Sequence, residues 1–172
     1  GLIVPSKFFD LAKEGKDFYM FAPHTVKQEY GVTLDDIDIE KYYDELVANP
    51  NVLKKKKDAR EMLNMIAQTQ LQSGYPYLMF KDNANKVHAN SNIGQIKMSN
   101  LCTEIFQLQE TSIINDYGIE DEIKRDISCN LGSLNIVNVM ETGKFRDSVH
   151  TGMDALTVVS DEANIQNAPG VK

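Results

Sequence analysis

The run Tyr75-Pro76-Tyr77-Leu78-Met79-Phe80 decides how this 172-residue chain is read. Much of the chain before it follows helical patterns, whereas this run is short, apolar and aromatic and leads into the turn-prone Lys81-Asp82-Asn83-Ala84-Asn85. It predicts a buried strand feeding a loop. Pro76 is confined to the strand start, because proline has no amide hydrogen to give to a ladder.

Working outward, Ser6 can cap a short helix carrying Phe8, Phe9 and Leu11. A second helix is predicted from about Asp38 to Val47, halted by Asn49-Pro50. Ala59, Met62, Leu63, Ile66 and Ala67 recur at helical spacing, and Gly74 follows as a stop. Downstream, Gly94 opens a second short strand leading into Asn100, and Asp126 to Ser133 reads as a third with Cys129 near its end. Beyond Ser133, Leu134, Ile136, Val137 and Val139 continue as a helix. Val149, Met153, Leu156, Val159 and Ala163 form the stripe of a last helix that ends before Pro169-Gly170. Methionines on these stripes are core filler. The fold class is therefore α+β, or a partial α/β arrangement: residues 1–74 mainly helical, 75–140 strands with loops, 141–172 helix and loop.

Composition narrows the function. A 42% hydrophobic share suits one globular domain with a core. A formal charge of -7 disfavours nucleic acid as the main partner. The one basic run, Lys54-Lys55-Lys56-Lys57, stands at a helix entrance with Asp58 and Glu61 close behind, and reads as a solvated face. No apolar run approaches the ~20 residues that cross a bilayer, and the N-terminal residues lack signal-peptide features. Two cysteines make no disulfide scaffold, which favours a reducing cytoplasm. Both ends look cut, as in a piece excised from something larger.

The segment Ser99-Asn100-Leu101-Cys102-Thr103-Glu104-Ile105 carries the chemistry. In an extended chain alternate side chains share a face, which would place Asn100, Cys102 and Glu104 together with neighbours roughly 6–7 Å apart. The bland reading is a strand edge with a half-buried cysteine. A carboxylate beside a thiol raises the thiol pKa and so disfavours the thiolate a nucleophile needs. Hydrogen-atom chemistry at sulfur has no such requirement. His24, His88 and His150 lack any paired spacing for zinc, and nothing in the sequence points to His88 or His150 folding against Cys102 as its base. Gly94 and Gly132 form no phosphate loop.

Asn100-Leu101-Cys102-Thr103-Glu104 resembles the finger loop of the ribonucleotide reductase large (α) subunit. Cys129-Asn130-Leu131-Gly132-Ser133-Leu134-Asn135 is similar to that family's redox-cysteine strand. Ser73-Gly74-Tyr75-Pro76-Tyr77 and Leu156-Thr157-Val158-Val159-Ser160-Asp161 also fit, and the likeness is nearest the bacterial class Ib subunit. The resemblance implies part of a ten-stranded α/β barrel. It implies that Cys102 becomes a thiyl radical that takes the 3′ hydrogen of a ribonucleotide, that Glu104 removes the 3′-hydroxyl proton, and that Asn100 hydrogen-bonds the substrate. Asn100, Leu101, Cys102, Thr103 and Glu104 would border that substrate. Cys129 would be one of two thiols that end as a disulfide, its partner lying outside these residues. The implied partners are a ribonucleoside diphosphate, a metal-containing small (β) subunit that supplies the radical, a glutaredoxin- or thioredoxin-like reductant, and a second large subunit. No cofactor is expected to bind directly, and ATP or dNTP effectors would bind elsewhere. Barrel strands without their neighbours would show edges and apolar faces, so either a dimer or a rearranged finger loop is expected. Two rival readings stand beside this one. One is an interaction domain with both cysteines buried; the other is a small thiol-redox protein pairing Cys102 with Cys129.

Overall fold

The computed structural model describes residues 1–115, 119–165, 168 and 171. The chain divides into two compact units, Gly1–Leu108 and Gln109–Lys172.

The first unit runs β1 (Leu2–Val4), α1 (Ser6–Glu14), β2 (Asp17–Phe21), α2 (Pro23–Tyr30), α3 (Ile39–Ala48), β3 (Lys54–Asp58), α4 (Ala59–Ser73), β4 (Leu78–Phe80) and α5 (Lys81–Val87). Phe8, Leu11 and Ala12 are spaced three and four residues apart, so α1 buries one stripe. Phe8 packs edge-on against Phe9 and Phe18, and Phe18 stacks on Tyr43 of α3. The Tyr43 hydroxyl accepts a hydrogen bond from the Tyr19 amide at 2.7 Å, and burial pushes its pKa up. Val26, Ile37, Leu46 and Val52 make a second cluster between α2 and α3.

Chain ends of these helices are secured by specific groups. Gly15, in the left-handed region at φ 68°, lets Lys16 and Gly15 donate back to the Leu11 and Ala12 carbonyls. The Arg60 guanidinium adds two bonds of 2.9 Å to the Ala12 and Lys13 carbonyls, where a cation also suits the helix dipole. Asp38 and Asp58 cap α3 and α4 by accepting from the Lys41 and Glu61 amides.

Among the described residues two short sheets form. β1 pairs parallel with β4, setting Leu2 opposite Leu78 and Val4 opposite Phe80. β2 pairs antiparallel with β3, setting Tyr19 opposite Lys56. No barrel closes among the described residues.

The second unit holds α6 (Ile136–Glu141) and α7 (Phe145–Glu162). Ahead of them, Ile113 and Glu122 exchange two backbone bonds of 2.9 Å, and Glu110 donates to the Arg125 carbonyl. Asn135 caps α6 by accepting from the Asn138 amide.

Helices expected at Asp38, Ala59, Ser133 and Val149 are present as α3, α4, α6 and α7. Ala163 caps the end of α7, while Pro169 and Gly170 lie outside the described residues. Other expectations need correction. Ser6 is the first helical residue rather than the cap; Pro5 holds that position, and the Ser6 hydroxyl donates to Asp82. The strand predicted from Tyr75 covers only Leu78–Phe80, with Met79 buried and Phe80 37% exposed. Lys81–Val87 is a helix, not a loop: Asp82 sits in its first turn and Lys86 in its last, each suited to the dipole. The four lysines form strand β3. Lys54 reaches the Leu46 and Asn49 carbonyls at the end of α3, and Lys56 pairs with Asp17 at 3.0 Å. Residues 1–74 carry the strands β1, β2 and β3 among their four helices. No strand forms after Gly94 or at 126–133. Ile96 takes its backbone partners from the side chain of Asn85, which removes the need for a neighbouring strand.

Candidate active site

Residues 94–108 leave the body of the first unit and return to it. Their entry is fixed at Ile96, which is fully buried, and their exit at Leu108, which is 7% exposed. A Cβ on Gly94 would stand 2.9 Å from a Leu108 methyl carbon, so this position accepts only glycine without a shift. Between these anchors the Ser99 hydroxyl donates to the Ile105 carbonyl at 2.7 Å, closing the neck of the loop.

The tip is a turn. Thr103 donates its amide to the Asn100 carbonyl at 3.1 Å and adopts φ 63°. A β-branched residue in the left-handed region is uncommon and costs on the order of 1–3 kcal/mol. The surrounding bonds hold it there. Asn100 Oδ1 accepts from the Glu104 and Ile105 amides at 3.2 and 3.1 Å, and Asn100 Nδ2 donates to Glu104 Oε1 at 2.7 Å. An extended segment with three side chains on one face is therefore not what forms. Chain reversal brings Asn100 and Glu104 into contact, and Leu101, Cys102 and Thr103 make the tip. Leu101 is 79% exposed, Cys102 is a free exposed thiol, and Glu104 is exposed as well. The enclosed surroundings that would suit a proton-accepting Glu104 are not built by the described residues.

Cys129 belongs to the second unit, in an irregular segment, and is also free and exposed. Its neighbours dock on α7. Asn130 Nδ2 donates to the Ser160 hydroxyl at 2.6 Å and to the Leu156 carbonyl at 3.4 Å. A Cβ on Gly132 would make ordinary contact with Leu156 at 3.5 Å. The motifs at 129–135 and 156–161 thus meet in space. Exposure of both thiols removes the reading in which they are buried core residues.

The tyrosine-proline motif is equally local in its work. Gly74, at φ 77°, ends α4, and Gln70 donates to the Pro76 carbonyl at 2.7 Å. The Tyr77 carbonyl accepts from the Leu2 amide, which starts the β1–β4 pairing. A Cβ on Gly1 would lie 3.2 Å from the Thr103 hydroxyl, so the loop tip stands over the start of that parallel pair. His24 and His150 are exposed on α2 and α7, and His88 follows α5.

The family model described as ribonucleotide reductase, barrel domain, matches residues 1–172. The chain belongs to that family. It is 49% identical over all of its 172 residues to the ribonucleoside-diphosphate reductase subunit alpha of Bacillus subtilis, and 39% identical over its full length to the subunit alpha of Mycoplasma pneumoniae. A subunit alpha of Synechocystis is 33% identical over 144 residues, 80% of this chain. The chain spans about a quarter of the length of the first two relatives, 25% and 24%, and 17% of the third. Among the described residues the fold is α+β with no closed barrel, which is consistent with an incomplete piece of the barrel domain. No described helix is long and apolar enough to cross a membrane.

Sequence reading missed Asn85 and Lys97, which hold the entry to the loop from two sides. Lys97 Nζ lies 3.2 Å from Asp35 and 2.5 Å from Asp36. No motif marks either residue. The one available signal was the density of Asp, Asn and Lys at 81–86, which read as a turn.

Proposed function

We propose that this chain supplies the radical-bearing loop and one redox thiol of a ribonucleoside-diphosphate reductase large subunit. The observation that carries the reading is the Asn100–Glu104 hydrogen bond, folded behind an exposed Cys102 in a chain of this family. Cys102, as a thiyl radical, takes the 3′ hydrogen of the ribonucleotide. Glu104 accepts the 3′-hydroxyl proton, and Asn100 steadies both Glu104 and the substrate. The 2′-hydroxyl leaves as water. Cys129 and a second thiol outside this chain supply two electrons and two protons and become a disulfide, one proton completing the water and the other ending on C2′. Glu104 then returns its proton to the 3′ oxygen and the 3′ hydrogen returns from Cys102. Leu101 and Thr103 border the substrate at the turn.

The partners that follow are a ribonucleoside diphosphate, a radical-supplying metal-containing small subunit, a thioredoxin- or glutaredoxin-like reductant and a second large subunit. Effector nucleotides bind elsewhere, and the cytoplasm is the fitting compartment. An exposed tip cannot shield a radical from water, so the 172-residue chain alone is inactive. The test is nucleoside diphosphate reduction with small subunit and thiol reductant present. The chain alone gives no turnover. The Bacillus subtilis subunit alpha, with its matching segment replaced by this chain, is active and loses all turnover on Cys102→Ser. A folded hybrid, soluble and able to bind the small subunit, that is inactive before the cysteine is changed would overturn the proposal. So would turnover by the chain alone.

A further inference from the structure

The geometry points to Asn85 as the positioning residue that sets the register of the loop bearing Cys102. Its amide spends all of its obvious capacity on two targets. Nδ2 donates to the Ile96 carbonyl and to the Lys81 carbonyl, each at 2.9 Å, while Oδ1 accepts from the Ile96 amide at 2.8 Å. The side chain thereby gives to and takes from one residue, as an antiparallel strand neighbour would. In an extended segment the amide and carbonyl of one residue face the same side, and those of the next residue face away. A slip by one position would turn both groups of the engaged residue from Asn85. It would also move the Ile96 side chain out of a fully buried position. Register at Ile96 is therefore specified by polar and apolar contacts together.

That register is transmitted over a short distance. Three residues lie between Ile96 and Asn100, and Lys97 is held laterally by Asp35 and Asp36. The exit of the loop is fixed independently by Leu108 against Gly94. With both stems held and the neck closed by Ser99, the turn has little freedom to wander. Because Asn85 stands on α5 and bonds the Lys81 carbonyl of its own helix, it carries the placement of α5 into the loop. Asn85 touches none of the reacting groups proposed above, so its role is to place them. The catalytic meaning of this placement rests on the function proposed for Cys102.

Amide hydrogen exchange on the 172-residue chain tests the idea without substrate or partner. It therefore answers separately from the hybrid assay, which tests the radical chemistry. In Asn85→Leu, the Ile96 amide and the Asn100-bonded amides of Glu104 and Ile105 exchange at least about tenfold faster, while Leu46 in α3 is unchanged. In Asn85→Asp, whose second oxygen faces the Ile96 and Lys81 carbonyls where the amide nitrogen donated, the same amides lose protection although the side chain keeps its size. This isosteric variant also keeps the test open if the leucine variant does not fold. Equal loss of protection at Leu46 would mean that Asn85 is only a stability residue, and would overturn the inference. Loss at Ile96 with Glu104 and Ile105 unaltered would overturn it too, as would unchanged protection of all three amides in Asn85→Asp.

Discussion

The two units of this chain differ sharply in how they treat apolar residues. The described hydrophobic residues that are buried, from Val4 to Leu108, all fall in the first unit. In the second, α7 is an amphipathic helix of 18 residues with none buried, and α6 has none either. Met153, Val158 and Val159 stay more than half exposed. The first unit has a core that rewards ordering its backbone; the second is held by local bonds such as Asn130 to Ser160. Leu156 of the α7 stripe is met by Gly132, while Met153 and Val159 on the same stripe lie open among the described residues.

The sharpest way to break this comparison is to delete one apolar side chain from each unit. Phe8 is 1% exposed at the meeting of α1, β2 and α3. Phe8→Ala should destabilise the first unit by about 3–5 kcal/mol, since it removes transfer energy and leaves a cavity. Val159→Ala on the half-exposed stripe of α7 should change stability by no more than about 0.5 kcal/mol. Urea unfolding followed by circular dichroism measures both. Equal losses would mean that α7 is packed as tightly as α1, and the contrast would fail.

What could be read from sequence follows the same division. Helices α4 and α7 were legible because their apolar residues repeat at helical spacing, and the ends of α3 and α4 because Asn49-Pro50 and Gly74 are stop signals. Strand β3 was not, since four lysines carry no alternating apolar pattern; its place is set by pairing with Phe18 to Phe21 across the sheet. The candidate site was legible in its residue types and not in its shape. Asn100 and Glu104 do act together, but through a reversed chain with Thr103 at positive φ, which a two-residue period cannot convey. Asn85 was invisible because its value depends on a partner eleven residues away, with no motif between them.

A smaller effect sharpens the account of the first unit. Asp58 ends β3 and caps α4, accepting from the Glu61 amide at 2.8 Å. Asp58→Ala should cost about 1 kcal/mol by leaving an amide of the first turn unpaired, and Asp58→Asn should recover most of it. The urea midpoint reads the difference. If asparagine fails to restore stability, the loss comes from charge or from β3 rather than from the cap.

The smallest expected effect concerns the salt cluster at the loop entry. The hydrogen bond from Lys97 is the first reason that Asp36 is held below the usual carboxylate range; for Asp35 the Thr33 hydroxyl comes first and Lys97 adds to it. Lys97 in turn is raised, chiefly by Asp36. A carboxylate whose pKa is lower in the folded state stabilises above its unfolded value, and that contribution disappears as pH falls through the folded value. For Lys97 the sign reverses: the contribution is complete below the ordinary lysine value and is lost as pH rises through the raised one. The cluster should therefore hold across neutral pH and weaken in strong acid and in strong base. Its side chains are 41–58% exposed, so the gain is that of a surface pair, about 0.2–1 kcal/mol. Lys97→Met should lower stability by that amount at pH 7 and lose less than the parent chain on acidification. Salt should shrink the difference between the two proteins. An identical acid profile for parent and variant would show that Asp35 and Asp36 are held by the Thr33 segment alone. The loop entry would then rest on Asn85 without help from charge.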